Sequence, residues 1–246
     1  MKKLSILIAI LFSCYTSFSQ EKITVAVAAN MQYTIQTLIK EFNKQDKTQV
    51  QVVIGASGNL TQEILNGAPF DIFVSADTKF PEKLHEQNKT IGIPKTYAQG
   101  ILVLWTAKPN IKLPKSVQEL KNPNYKKIAI ANTETAPYGS AAKYVLEKAK
   151  VWNEIQGKLV TGESITQTSQ FIATQNVEIG FTAKSIVVAT PAENKGKWLA
   201  IKAADYPPIN QAAALLKNNT EAQKFYNFLY SNTAKSIYKQ FGYLVP

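Results

Sequence analysis

The stretch Val53-Ile54-Gly55-Ala56-Ser57-Gly58-Asn59-Leu60-Thr61-Gln62-Glu63-Ile64-Leu65-Asn66-Gly67-Ala68-Pro69-Phe70-Asp71-Ile72-Phe73-Val74-Ser75-Ala76-Asp77 reads as a strand, a loop of small residues, a helix and a second strand. The loop Gly55-Ala56-Ser57-Gly58 runs straight into the helix. Backbone N–H groups at a helix start have no partner inside the helix, and with the Ser57 hydroxyl they converge on one spot that suits an anion. A second strand, small loop and helix lies upstream at Val25-Ala26-Val27-Ala28-Ala29-Asn30-Met31. Two such corners side by side predict one anion held between them.

Outward from this stretch, short apolar runs alternate with helical periodicity. Strands are expected at Ile23–Ala28, Val50–Ile54, Phe70–Val74, Ile101–Trp105, Ile128–Ala131, Ile179–Phe181 and 209–216. Ile35, Leu38, Ile39 and Phe42 fall on one helical face, as do Ala142, Val145, Leu146 and Ala149, and Ala222, Phe225, Tyr226 and Leu229. Further helices are expected at 59–66, 79–87, 116–121 and 165–174, with two more closing the chain. This alternation predicts an α/β protein with mostly parallel sheets flanked by helices. Pro- and Gly-bearing stretches at 92–100 and 205–212 are candidate crossings between two lobes, which would enclose a cleft that closes by hinge motion. Residues 21–98 with about 213–246 then form one lobe, and 99–212 the other.

The chain has 246 residues and a net charge of +11, or +9 without Lys2 and Lys3. Its lysines are spread along the whole length and gather into no patch with interleaved aromatics, so the charge reads as a solvated surface and not as a nucleic-acid interface. All 28 basic residues are lysine. Without arginine there is no flat two-pronged clamp for carboxylate or phosphate, which removes the usual device of amino-acid receptors.

Residues 1–20 read as an export signal: Lys2 and Lys3, an apolar run from Leu4 to Phe12, and a small-x-small cleavage site at Ser17-Phe18-Ser19. Leu11-Phe12-Ser13-Cys14 loosely resembles a lipoprotein box, so a lipid anchor through Cys14 is the alternative to plain cleavage into the periplasm. Cys14 is the single cysteine, which rules out an internal disulfide and a cysteine metal site. No other stretch reaches the ~18 apolar residues of a membrane span.

Two corners in the second half match the first two. Ala136-Pro137-Tyr138-Gly139 follows the strand at 128–131 and opens a helix, and Gly162-Glu163-Ser164-Ile165 precedes the helix at 165–174. In open α/β sheets ligands sit beyond the carboxyl ends of strands, where such corners meet. These motifs, with Asn66-Gly67-Ala68-Pro69-Phe70-Asp71-Ile72-Phe73-Val74-Ser75-Ala76-Asp77 and the chain end Tyr238-Lys239-Gln240-Phe241-Gly242-Tyr243, resemble the molybdate-binding proteins of ABC importers (the ModA family) over essentially the whole mature chain.

The resemblance implies a two-lobed type II periplasmic-binding-protein fold. It also implies a monomeric, non-catalytic receptor that needs no cofactor and delivers a tetrahedral oxyanion to a membrane permease and its ATPase. Carried over residue by residue, Asn30 donates through side chain and backbone, Ser57 through hydroxyl and backbone, and Tyr138 and Ile165 through backbone N–H groups. Such a site consists of donors only, which fits molybdate or tungstate, dianions that carry no proton near neutral pH. Sulfate, thiosulfate or phosphate is the alternative ligand. Two positions depart from the family. Asn30 stands where many members have Ser, and Ala183 where many have a Tyr whose hydroxyl reaches the anion.

Each residue also has a plainer reading. Ser57 and Asn30 suit helix N-caps, Tyr138 and Ile165 suit packing, and Asp71 and Asp77 suit strand-end and cap positions. His85 is the lone histidine and forms neither a metal cluster nor a catalytic triad. An enzyme on this scaffold would need a nucleophile–base pair or a cofactor loop, and a sensor would need an output module. The sequence suggests none of these.

Overall fold

The computed structural model describes residues 21–246; the export segment expected over 1–20, with Cys14, lies outside the described residues. The first lobe opens with β1 (Lys22–Ala28), α1 (Gln32–Phe42), β2 (Gln49–Gly55), α2 (Ser57–Leu65), β3 (Ile72–Val74), α3 (Lys79–Glu86) and β4 (Lys95–Gly100). The second lobe holds β5 (Leu102–Thr106), β6 (Ile128–Ala131), α4 (Pro137–Lys148), α5 (Trp152–Ile155), β7 (Leu159–Gly162), α6 (Ile165–Ala173), β8 (Ile179–Ala183), α7 (Lys184–Ala189) and β9 (Lys197–Ala200). The chain then returns through β10 (Ile209–Leu215) and finishes with α8 (Thr220–Phe228) and α9 (Asn232–Gln240).

The sheets run β2-β1-β3-β10-β4 and β7-β6-β8-β5-β9. Each is mostly parallel, as the alternation predicts, with one reversed strand among its five. In the first, β1 is parallel to β2 and β3, while β10 is antiparallel to β3 and β4. In the second, β6 is parallel to β7 and β8, while β5 is antiparallel to β8 and β9. The strands that arrive from the opposite lobe enter against the local direction, and a pattern of apolar runs carries no record of that.

Chain crossings fall between Gly100 and Leu102 and between Ala200 and Ile209. Residues 99–100 and 209–212, expected with the second lobe, therefore sit on β4 and β10 of the first sheet. β4, β7 and β9 are strands that the sequence pattern does not announce. The first two alternate or lie half-exposed, and β9 is exposed along most of its length.

Apolar stripes do what their spacing predicts. Ile35, Leu38 and Phe42 of α1 pack with Ala222, Phe225, Phe228 and Leu229 of the C-terminal helices on one face of the first sheet. Leu60 and Ile64 of α2 cover the other face with Phe73 and Leu84. Ala28, Ala29, Ala56 and Ala76, at the carboxyl ends of first-lobe strands, belong to the main apolar cluster of the second lobe. The lobes are thus closed on each other at their strand ends.

Candidate functional site

Four helix starts meet where the lobes touch. Asn30 lies in a 3-10 turn at Ala29–Met31 that leads into α1, Ser57 is the first residue of α2, Tyr138 the second of α4, and Ile165 the first of α6. All four expected residues line one cavity of about 10 Å³, together with Ala28, Ala29, Ala56, Ala76, Ala136 and Pro137. With the lobes closed on each other this is room for about one water molecule, so a larger ligand enters only when the walls part. No lining residue is charged.

Small side chains make this convergence possible. Gly58 donates its N–H to the Thr135 carbonyl across the lobes at 2.8 Å. A Cβ on Gly58 would come within 2.8 Å of Thr135 Cα, so glycine permits the approach. Thr166 Oγ1 donates to the Ala29 carbonyl at 3.2 Å, and Ser185 Oγ to the Asn30 carbonyl at 3.0 Å, adding two further cross-lobe bonds.

What each corner offers differs. N–H groups of the first residues in a helix have no intrahelical acceptor, so Ser57, Tyr138 and Ile165 each present one at the cavity wall, with the positive end of a helix behind it. Ser57 does not cap its own helix, since the N-cap of α2 is Ala56. Its Oγ instead accepts the Ala76 N–H at 3.0 Å, which occupies a lone pair and leaves the hydroxyl proton to donate. Ser164, not Ile165, caps α6, by accepting the Gln167 N–H. Ile165 is 4% exposed and Asn30, Ser57 and Tyr138 are each 1% exposed, so hydrogen bonds here are made away from bulk water.

Asn30 departs from expectation. Its side chain neither caps a helix nor stands free. Nδ2 donates to Gln211 Oε1 and to the Tyr243 hydroxyl, both at 3.0 Å. Oδ1 is buried without a partner. In this orientation the side-chain donor expected for the anion is committed elsewhere.

The Tyr138 ring also has a role that the sequence did not suggest. It is buried, and its hydroxyl accepts from Gln211 Nε2 of the opposite lobe at 3.0 Å. Burial raises the pKa of this hydroxyl well above the ordinary tyrosine value, so it stays neutral. Tyr97 is held neutral in the same way, and Tyr243 is pushed up to about 12, again chiefly by burial.

A carboxylate lies closer to the cavity than expected. Asp77 follows the lining residue Ala76, and its Oδ1 accepts from Ser75 Oγ at 2.9 Å and from the Phe80 N–H at 3.2 Å. Burial raises its pKa, partly offset by the Phe80 and Ser75 bonds. Asp71 ties elements together, accepting from the Thr24 N–H at 2.7 Å and from Asn219 Nδ2 at 3.1 Å. Ala183 is fully buried at the start of α7 and is not among the residues lining the cavity.

Other features carry less chemistry. His85 is exposed and pairs through Nδ1 with Thr90 Oγ1 at 2.8 Å. Among the described residues no cluster of three or more His, Cys, Asp or Glu side chains could hold a metal ion, and no helix is long and apolar enough to cross a membrane. A broader groove of about 410 Å³ lies on the second lobe between Pro114, Val145 and Leu199, and none of the four candidate residues lines it.

Known proteins resemble this chain over nearly its full length. Residues 23–244 match the family described as bacterial extracellular solute-binding protein. The molybdate-binding protein ModA of Azotobacter vinelandii is 38% identical over 226 residues, covering 90% of this chain and 89% of the relative. ModA of Rhodobacter capsulatus is 36% identical, covering 91% and 88%. The solved periplasmic molybdate-binding protein of Azotobacter vinelandii superposes with a TM-score of 0.85 at 33% identity, covering 91% of this chain and 99% of that one.

Proposed function

Since the chain belongs to the bacterial extracellular solute-binding proteins, within their ModA family, we propose that it is an exported, non-catalytic receptor that captures molybdate or tungstate between its lobes and hands it to an ABC permease driven by its ATPase. It requires no cofactor and acts as a monomer. The ligand is held by Asn30, Ser57, Tyr138 and Ile165.

The observation that carries this reading is a small cavity lined only by uncharged residues, at which four helix starts converge from both lobes. A fully deprotonated dianion has only acceptors to offer, and such a wall can answer with donors alone. Each bond to a charged oxygen contributes about 1.5–3 kcal/mol. Each helix start adds about 0.3–1 kcal/mol. Four or five donors with four helix starts then sum to roughly 7–19 kcal/mol before ordering costs, a range that reaches well past the roughly 8 kcal/mol of micromolar binding.

Calorimetric titration of the purified protein with molybdate, tungstate, sulfate and phosphate tests the proposal. Molybdate and tungstate are expected to bind at submicromolar concentrations and sulfate and phosphate far more weakly. Heat from none of the four overturns it.

A further inference from the structure

Beneath the cavity lies a buried cluster of polar side chains from both lobes. Gln211, on β10, is at its centre and is fully buried. It accepts at Oε1 from Asn30 Nδ2 at 3.0 Å and from the Tyr97 hydroxyl at 2.9 Å, and donates from Nε2 to the Tyr138 hydroxyl at 3.0 Å. The register of β10 against β4 shifts between Gln211 and Ala212, an irregularity of the kind that re-aims a side chain beside a site. Gly100 on the crossing strand leaves the passage open: a Cβ there would come within 2.1 Å of the Tyr138 hydroxyl and 2.5 Å of Gln211 Nε2.

Donors and acceptors in this cluster are mismatched as they stand. Asn30 Oδ1 and Thr34 Oγ1 are the buried side-chain atoms without partners among the described residues. The Tyr97 hydroxyl has one proton and two acceptors, Gln211 Oε1 and the Ser75 carbonyl at 2.9 Å. The two ends of an amide have the same shape, so a half-turn about the last side-chain bond exchanges them without displacing neighbours. Turning Asn30 alone would set oxygen against oxygen between the two amides, and turning Gln211 alone would set nitrogen against nitrogen. Turning both repairs the cluster. Gln211 Nε2 then donates to Asn30 Oδ1 and to Tyr97, Tyr97 donates to the Ser75 carbonyl, and Tyr138 donates to Gln211 Oε1. The Tyr243 hydroxyl, which donates to the Asn30 carbonyl at 3.0 Å, turns its proton to Asn30 Oδ1 while Ser185 Oγ keeps that carbonyl, and the Tyr243 oxygen is open to Thr34, which lies against it. Asn30 Nδ2 is released on the side turned away from Gln211 and Tyr243, and Asn30 lines the cavity.

We propose that Gln211 is a positioning residue for the anion site: it turns over together with Asn30, so that the Asn30 amide meets the anion with Nδ2, and through Tyr138 it ties that orientation to closure of the second lobe. This rests on the oxyanion reading above. In the unturned orientation Asn30 would offer a bound anion an oxygen, which repels it. Gln211 touches no ligand and acts on it only through Asn30.

The experiment is a double-mutant cycle on the purified protein, with molybdate affinity by calorimetry as its readout. Gln211→Leu and Asn30→Ala are each expected to weaken binding on the order of tenfold to a hundredfold, and the double variant to be no weaker than Asn30→Ala alone within about twofold. Independent, multiplying losses mark a merely structural glutamine and overturn the proposal, as does a Gln211→Leu variant that binds like the parent. Should Gln211→Leu fail to fold by far-ultraviolet dichroism, Tyr97→Phe takes its place, since it removes one acceptor of Nε2 in the turned state. It is expected to weaken binding in the parent but not in the Asn30→Ala background, and equal effects in both overturn the proposal. A parent protein that binds no oxyanion overturns the receptor reading instead, which keeps the two failures distinct.

Discussion

The two lobes are built on one plan and contribute different things. Both sheets share a pattern of three parallel strands, then one antiparallel strand, then an edge strand that runs with the first three. Both deliver a pair of helix starts to the same cavity. On the first-lobe side, side chains accompany the backbone: Ser57 brings a hydroxyl with one lone pair already occupied by Ala76, and Asn30 an amide. On the second-lobe side Tyr138 turns its hydroxyl away toward Gln211 and Ile165 has no polar side chain, so only backbone N–H groups remain. On the proposed oxyanion reading the first lobe would hold the anion by side-chain donors that can turn, while the second would supply backbone donors alone. Substitutions in the first lobe should remove donors directly, whereas side-chain changes in the second should leave binding intact unless they touch the backbone.

The largest expected effect is that of Ser57→Ala. It deletes a donor to a charged oxygen, costing about 1.5–3 kcal/mol of molybdate affinity. It also leaves the buried Ala76 N–H without its acceptor, so the unliganded protein should lose about 1–3 kcal/mol of stability as well. A calorimetric titration and a urea melt measure the two losses separately. An unchanged affinity would show that the hydroxyl serves only Ala76, and the contrast between lobes would lose its first-lobe half.

Next comes Ile165→Pro, which attacks the second lobe where side-chain changes should not reach. Position 165 is the first residue of α6, where proline is favoured, and Ser164 before it is already extended at φ −136° and ψ 166°. The substitution removes one N–H and leaves the helix start intact. Set against Ile165→Ala, which shortens the side chain and keeps the N–H, it should bind molybdate about 1.5–3 kcal/mol more weakly. Equal affinities for the two variants would mean that the Ile165 N–H does not face the ligand.

Much of this was legible in the sequence, and what was hidden has a physical cause. Small residues between a strand and a helix mark a corner because only they leave backbone donors uncovered, so Asn30, Ser57, Tyr138 and Ile165 could be picked out and do meet at one cavity. Apolar periodicity located most strands and helices because each buries one face. It could not report that β5 and β10 run against their neighbours, because strand direction depends on the path between lobes and not on local pattern. Nor could it find Gln211, Tyr97 or the second duty of Tyr138. Partners in a buried network come from distant strands: Gln211 meets Asn30 and Tyr138, 181 and 73 positions away. The one local hint is a glutamine in the otherwise apolar run Gln211-Ala212-Ala213-Ala214-Leu215, since a polar side chain in a buried strand must have a partner.

The smallest expected effect is the sharpest check on the difference between the lobes. Ile165→Val trims one methylene from a side chain buried in the main apolar cluster of the second lobe. Stability should fall by about 0.5–1.5 kcal/mol, as for other buried Ile→Val changes. Molybdate affinity should stay within about twofold of the parent, because the donor at 165 is the backbone N–H, which valine keeps and holds at the same helix start. Thermal melts with and without molybdate read both quantities from one protein: the melting temperature drops in each, and the ligand-induced increase is preserved. A ligand shift that shrank along with stability would mean that the isoleucine side chain itself sets the position of its N–H, and that the second lobe contributes more than a rigid backbone.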